Sequence, residues 1–343
     1  MPNSFEITLP KQIGEGRLLM SRPLSWGILS TAFITETMLG AMTASPLAHP
    51  VAVASRDYRR AAAIAEMWSL PYAFGSYDEL LASPDVDAIY IPLPNELHHA
   101  WAMRALREGK HVLCEKPYSS RPNEVVEAFT AARSRGLILS EGFMFRYDPV
   151  TLAVVQAVTD GSIGRLRIIN ASYSWPSPLE NDLRLDASLG GGALLDTGVY
   201  CISSGRLLAG EPLRVSANMT MGPTGVDIVT VGHLAFENEV VLNFDCALHL
   251  PQRGRLELVG DAGSLIVDDP WLCKDTRILL RNRSGTQGIE VVSMNAFELE
   301  LEEFAAAVLG KDNNLLGERD ALSQATTVSA LQESAHAGKV ITL

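Results

Sequence analysis

A chain of 343 residues has the length of about two ordinary domains, and 47% hydrophobic with 20% charged residues excludes a disordered chain. Lys and Arg number 28 against 40 Asp and Glu, a net charge of −12, which excludes DNA or RNA as the main partner because that binding needs clustered cations. No apolar run reaches the roughly 18 residues that cross a bilayer, no repeat of fixed period is present, and Cys114, Cys201, Cys246 and Cys273 are scattered without a CxxC pair, which points to free thiols in a reducing cytoplasm.

Residues 1–21 read as an N-terminal extension. MPNSFEITLPKQIGEGRLLM carries Glu6 and Glu15 and lacks the apolar core of an export signal, and Met20 offers an alternative start to Met1. The extension is expected to be loosely ordered or strapped across the surface. From Leu24 short apolar runs alternate with longer amphipathic segments, the pattern of βαβ units around a parallel sheet. SWGILS, HPVAVAS, YAFGS, VDAIYIPLP, KHVLCEKP and LILSEGFMF read as strands, and the segments between them as helices. Ser76 and Glu79 fit a capping box, and Pro122 and Gly136 bracket a helix in the expected asymmetry.

Near Phe145 the texture changes. One helix, YDPVTLAVVQAVTDG, is followed by Val-, Ile- and Leu-rich alternating segments, and FELELEEFAAAV and RDALSQATTVSALQESAHAG read as closing helices. The expected fold class is α/β: a doubly wound Rossmann domain over 22–145, then an α+β domain with an open, mostly antiparallel sheet over 146–343. The C-terminal helix is free to pack back on the first domain.

The turn after the first strand carries the sharpest question. In the dinucleotide fingerprint G-x-G-x-x-G the glycines serve a tight turn, close approach to the pyrophosphate, and helix-to-strand packing. Ser30-Thr31-Ala32-Phe33-Ile34-Thr35 holds the right position with none of the three. A helix N-terminus still offers N–H groups to phosphate there, and Ser30, Thr31 and Thr35 add hydroxyls. At the tip of the second strand, where an NAD site places an acidic residue, stand Ser55 and Arg56. A hydroxyl and a guanidinium suit a 2′-phosphate, so NADP is favoured over NAD. The alternative is that Arg56, Asp57, Arg59 and Arg60 form a solvated helix start.

YIPLPNELHHAWAMRALREGKHVLCEKP followed by LGGGALLDTGVYCISSGRLL resembles the Gfo/Idh/MocA oxidoreductases, from about Leu24 to the C-terminus. The Glu115-Lys116-Pro117 element is the most specific part of that resemblance. In this family Ala32 is ordinary, whereas Ser30 and Thr35 are departures. The resemblance implies that Lys116 serves the reacting oxygen, after a Lys116–Pro117 bond that can be cis. It implies further that Leu93, Pro94, Asn95 and His98 line the nicotinamide side with Glu115, that Asp196 contacts substrate or orients the acid, and that Tyr200 stands where many members have His, as in sugar 3-ketoreductases and dihydrodiol dehydrogenases. An ammonium at the carboxyl end of a parallel strand is well placed to donate a proton while hydride moves at carbon. Gly190, Gly191 and Gly192 would let backbone approach a ligand, Ala193 to Leu208 reads as a helix, and Asp196 and Tyr200, four apart, share a face of it.

Arg146 and Arg184 are candidates for substrate hydroxyl, carboxylate or phosphate, or for structural ion pairs, and Trp175 for stacking on a sugar or for core. Adjacent His98 and His99 point about 100° apart on a helix, so no metal site is assigned. The resulting expectation is a cytoplasmic NADP-dependent oxidoreductase of a carbohydrate-like secondary alcohol or ketone, a homodimer or homotetramer through the exposed, apolar face of its second sheet. The rivals are a non-redox enzyme with tightly held cofactor that oxidises transiently, as in glycoside cleavage, and a non-catalytic sugar-binding relic.

Overall fold

The computed structural model describes residues 22–177, 182–274 and 277–343. The expectations about residues 1–21, including the choice between Met1 and Met20, lie outside the described residues. The chain divides into two compact units, residues 22–143 with Phe297–Leu322, and Met144–Ala296 with Ser323–Leu343.

The first unit begins β1 (Leu24–Leu29), α1 (Phe33–Ala44), β2 (Ala48–Ala54), α2 (Tyr58–Trp68), β3 (Tyr72–Phe74) and α3 (Tyr77–Leu81). It continues β4 (Ala88–Ile91), α4 (Asn95–Arg107), β5 (His111–Glu115), α5 (Pro122–Ser134) and β6 (Leu139–Gly142). Among the described residues these six strands pair in the order β3-β2-β1-β4-β5-β6, all parallel. Strands buried on both faces need unbroken apolar runs, and every residue of AIYI in β4 is buried. On α1 the buried Thr35, Met38, Leu39 and Met42 recur at helical spacing. Gly27 serves close packing inside β1, since a Cβ there would lie 2.6 Å from Leu80 Cδ2. Ser76 Oγ accepts from Glu79 N at 3.2 Å, but the Glu79 carboxylate reaches Gly75 N instead of closing the box on Ser76 N.

The second unit comprises α6 (Pro149–Thr159), β7 (Leu166–Ser174), α7 (Val199–Ala209), β8 (Arg214–Met221), β9 (Asp227–Ala235), β10 (Val241–Ala247), β11 (Arg253–Gly260), β12 (Gly263–Asp268), β13 (Ile278–Asn282) and β14 (Gly285–Ile289). The chain then returns to the first unit through α8 (Ala296–Val308), where Phe304 meets Trp26 with ring centroids 4.9 Å apart. Most of α9 (Glu318–Ala337), with β15 (Ile341–Thr342), belongs to the second unit. Gln324 donates to the Val199 carbonyl at 2.9 Å, and Ser334 accepts from Ala217 N. The sheet runs β14-β13-β12-β11-β7-β10-β9-β8-β15, antiparallel throughout except for the β7–β10 pair.

The helix expected from Ala193 starts as a π-helical turn, Leu194–Gly198, before α7 takes over. Gly198 lies so close to β10 that a Cβ would stand 2.9 Å from Cys246 Sγ. The wide turn therefore falls where the backbone presses on the sheet, and such turns recur at functional sites.

Candidate active site

All six strands of the first sheet point the same way, so the loops after β1, β2, β4 and β5 leave from one edge, and the order reverses between β1 and β4. That reversal opens the crevice where doubly wound sheets take ligands.

In the loop after β1, Ser30 has φ 138°, a region L side chains rarely adopt. The fully buried Thr35 donates from Oγ1 to the Ser30 carbonyl at 3.2 Å, and Arg60 of α2 donates to the Thr31 carbonyl at 3.3 Å. Ala32, the N-cap of α1, gives no side-chain cap, so the N–H groups of Phe33 and Ile34 stand at an open helix start, while Thr35 N bonds the Ala32 carbonyl at 2.9 Å. Phe33 projects outward, 96% exposed, and Ile34 is half-buried. This loop fits a phosphate by backbone donors without glycine.

At the tip of β2, Ser55 is buried and its Oγ accepts from Asp57 N at 3.2 Å. The Asp57 carboxylate caps α2 by accepting from Arg59 N at 3.0 Å, so it is occupied as a helix cap. Burial raises the Tyr77 hydroxyl pKa, and the Arg56 and Arg60 charges lie close enough to oppose that rise. Arg60 carries no weight in a sequence reading beyond a solvated helix start. Its one signal is the Arg-x-x-x-Arg spacing across the start of α2.

Beyond β4, Leu93 is buried, Pro94 precedes α4, and Asn95 opens it half-buried. His98 is fully buried, with Nδ1 2.8 Å from the Pro117 carbonyl and Nε2 2.7 Å from the Leu93 carbonyl. Both nitrogens face backbone carbonyls, so His98 ties the loops after β4 and β5 together. Burial is the main cause that pulls its pKa down to about 4.

Lys116 follows β5 half-buried, and the Lys116–Pro117 bond is cis. Glu115 accepts from the Tyr90 hydroxyl at 2.6 Å and from Lys116 N at 3.2 Å, so the carboxylate braces the strand end. Behind it lies Glu300 of α8, 1% exposed. Burial, reinforced by the Glu115 charge, pushes the Glu300 carboxyl well up, against the opposing Phe143 N–H. Glu300 escapes a sequence reading because FELELEEF looks like a solvated acidic face.

In the second unit, Asp196 sits half-buried in the π-helical turn, and Arg184 Nε lies 3.2 Å from Asp196 Oδ2 and Arg184 Nη1 3.2 Å from Asp182. Arg184 is thus joined to Asp196 by an ion pair. Tyr200 is 8% exposed among Phe145, Tyr173 and Trp271, with its hydroxyl 4.0 Å from Met144 Sδ. Arg146 donates to Ser203 Oγ at 3.0 Å, and Trp175 is partly exposed at the end of β7. The glycine run also permits a close approach within the protein. A Cβ at Gly191 would lie 2.3 Å from the Arg184 carbonyl, and one at Gly192 2.1 Å from Asp227 Oδ1. The glycines let the protein close on itself and hold Arg184 near Asp196.

Comparison with known proteins decides the family. Residues 24–143 match the model described as an oxidoreductase family with an NAD-binding Rossmann fold, and residues 151–266 match the GFO/IDH/MocA C-terminal domain. The chain belongs to the Gfo/Idh/MocA oxidoreductases. It is 32% identical to the NADP⁺-dependent D-xylose 1-dehydrogenase 2 of Haloferax volcanii, over 93% of this chain and 100% of that protein. It is 36% identical to the dTDP-3,4-didehydro-2,6-dideoxy-alpha-D-glucose 3-reductase of Streptomyces violaceoruber, over 93% of this chain and 97% of that one. A solved 3-ketoreductase from Actinomadura kijaniata, in complex with NADP and TDP-benzene, superimposes with a TM-score of 0.86 at 32% identity, covering 91% of this chain and 98% of that one. Structures of that ketoreductase include a lysine-to-alanine and a tyrosine-to-phenylalanine variant.

Proposed function

We propose that this oxidoreductase interconverts a secondary alcohol and a ketone of a sugar or sugar-like substrate, free or nucleotide-linked, with NADP(H) in preference to NAD(H). The observation that carries the cofactor choice is the tip of β2, where Ser55 and Arg56 stand and the nearby Asp57 carboxylate is used as a helix cap. A 2′-phosphate takes donors from Ser55 and Arg56, whereas a free ribose diol would rely on the Asp57 carboxylate, whose Oδ1 already caps α2. Relatives named for NADP⁺-dependent xylose oxidation and for dTDP-ketosugar reduction support the same class.

The uncapped start of α1, with Ser30, Thr31, Ala32, Phe33 and Ile34, would hold the pyrophosphate, and Leu93, Pro94, Asn95 and Glu115 would border the nicotinamide. Bound there, the nicotinamide supplies or accepts the hydride. In the reducing direction Lys116 gives a proton to the substrate oxygen and recovers one from solvent; in oxidation the same path runs backward. Tyr200 donates a hydrogen bond to the reacting oxygen. Asp196 orients the substrate, its charge held by Arg184, and Arg146 and Trp175 contribute polar and stacking contacts to the sugar. The protein works as a homodimer or homotetramer in the cytoplasm.

The deciding experiment titrates purified protein with NADPH and NADH in parallel. Tight NADPH and weak NADH binding is expected, with Arg56→Ala weakening NADPH alone. Equal affinities, or NADH preference, would sink the Ser55–Arg56 reading. With a ketosugar substrate, Lys116→Ala should lower kcat about 100-fold or more while NADPH binding persists.

A further inference from the structure

We infer that Thr35 is a positioning residue of the cofactor loop, a hydroxyl latch that holds Ser30 in a glycine-type conformation and so does the work that glycine does elsewhere in this fold. The inference rests on the dinucleotide reading of the first unit, and it goes beyond that reading by assigning a task to Thr35, one of the two residues that depart from the fingerprint.

Three observations meet at one turn. Ser30 has φ 138°, which glycine adopts freely and serine does not. Thr35 is fully buried, and its hydroxyl donates to the carbonyl of Ser30 itself, five residues back, at 3.2 Å. Thr35 N also bonds the Ala32 carbonyl at 2.9 Å, so the whole turn from Ser30 to Thr35 is closed on itself from the helix side. The third glycine of the fingerprint normally provides only close packing of helix on strand. Here the side chain at that place is accommodated, and its polar atom is aimed at the residue that carries the unfavourable dihedral.

The direction of the N–H groups that a pyrophosphate would use follows from the path of this turn. If Ser30 relaxed to negative φ, its carbonyl would swing away and the donors from Thr31 onward would turn with it. The two departures are therefore coupled: serine at position 30 requires a hydroxyl at position 35, and a glycine at position 30 would not.

The test is a cycle of Thr35→Val, Thr35→Ser, Ser30→Gly and the Ser30→Gly/Thr35→Val pair, read by NADPH titration and by thermal melting of each protein. Thr35→Val should raise the NADPH Kd about fivefold or more, the effect of one lost hydrogen bond, while Thr35→Ser keeps the wild-type affinity. In the Ser30→Gly background the valine substitution should cost less than about twofold, since the coupling is gone. The same loss in both backgrounds, or no rescue by Thr35→Ser, would overturn the latch. Should wild-type protein bind neither NADPH nor NADH, the dinucleotide reading fails on its own, and melting still decides the latch. Ser30→Gly should then raise Tm, and Thr35→Val should lower Tm more in the Ser30 background than in the Ser30→Gly one; equal drops would refute it.

Discussion

A neutral imidazole has one N–H, yet His98 has a backbone carbonyl within 2.8 Å of each ring nitrogen. Protonation would satisfy both carbonyls, but it would put a charge in a fully buried place where the Lys116 charge also opposes it. Burial prevails, and the folded-state pKa falls to about 4 from the usual 6.5. A depressed pKa gives stability that is present above the unfolded value and is lost as pH falls through the folded one. Between pH 6.5 and 4 the loss should be roughly 3 kcal/mol from this residue, at about 1.4 kcal/mol per unit. Urea unfolding at stepped pH should show His98→Asn less stable than wild type at pH 7 and the gap narrowing toward pH 4. A constant gap would place the acid sensitivity elsewhere. At this scale the sequence names the residues at the strand tips, since Lys116 in Glu-Lys-Pro and Ser55-Arg56 after a strand are local patterns. It does not show that His98 also bonds the Pro117 carbonyl of the next strand's loop or that Glu300 is buried, because both depend on how separate segments pack.

Elements are legible where periodicity is strong and obscure where the backbone departs from it. The alternation of β1 to β6 with five helices follows from apolar runs and helical stripes, as does the Val- and Ile-rich second sheet. The π-helical turn at Leu194–Gly198 has no such signature, because one extra residue in a turn is set by packing on β10 and not by composition. The glycine run before it looks from sequence like a ligand cradle, and close backbone contacts require glycine there. Gly191 has an ordinary φ but no room, with the Arg184 carbonyl 2.3 Å and the Asp186 carbonyl 3.0 Å from where a Cβ would be. Backbone atoms cannot step aside as a side-chain end can. Gly191→Ala should therefore cost about 1 to 3 kcal/mol and displace Arg184 from Asp196. In steady-state assays it should raise the sugar KM more than it changes NADPH binding. If thermal melting and sugar KM both match wild type, the run does not hold the Arg184–Asp196 pair.

On the scale of the molecule, the face of the nine-stranded sheet that lies away from α7 is the surface left for a partner. The sequence leads one to expect an apolar surface there, and the register shows a mixed one. A row crosses four strands, from His233 to Asn243 at 3.0 Å, then Asn170 at 3.4 Å, then Glu257 at 3.4 Å. Beside it Val231 and Ile168 are exposed. A polar row flanked by exposed branched apolar residues has the mixed composition of a non-obligate interface. A second copy laid across this face would meet the same row, as a two-fold contact requires. Light scattering on size-exclusion fractions at micromolar concentration should give two or four times the 37.1 kDa chain mass. Val231→Asp, which sets a charge in the middle of the face, should shift that mass toward the monomer without lowering the NADPH affinity of the first unit. A wild-type monomer would refute the assembly outright. A Val231→Asp protein that stays assembled would move the interface off this face, leaving the polar row as a feature of the sheet alone.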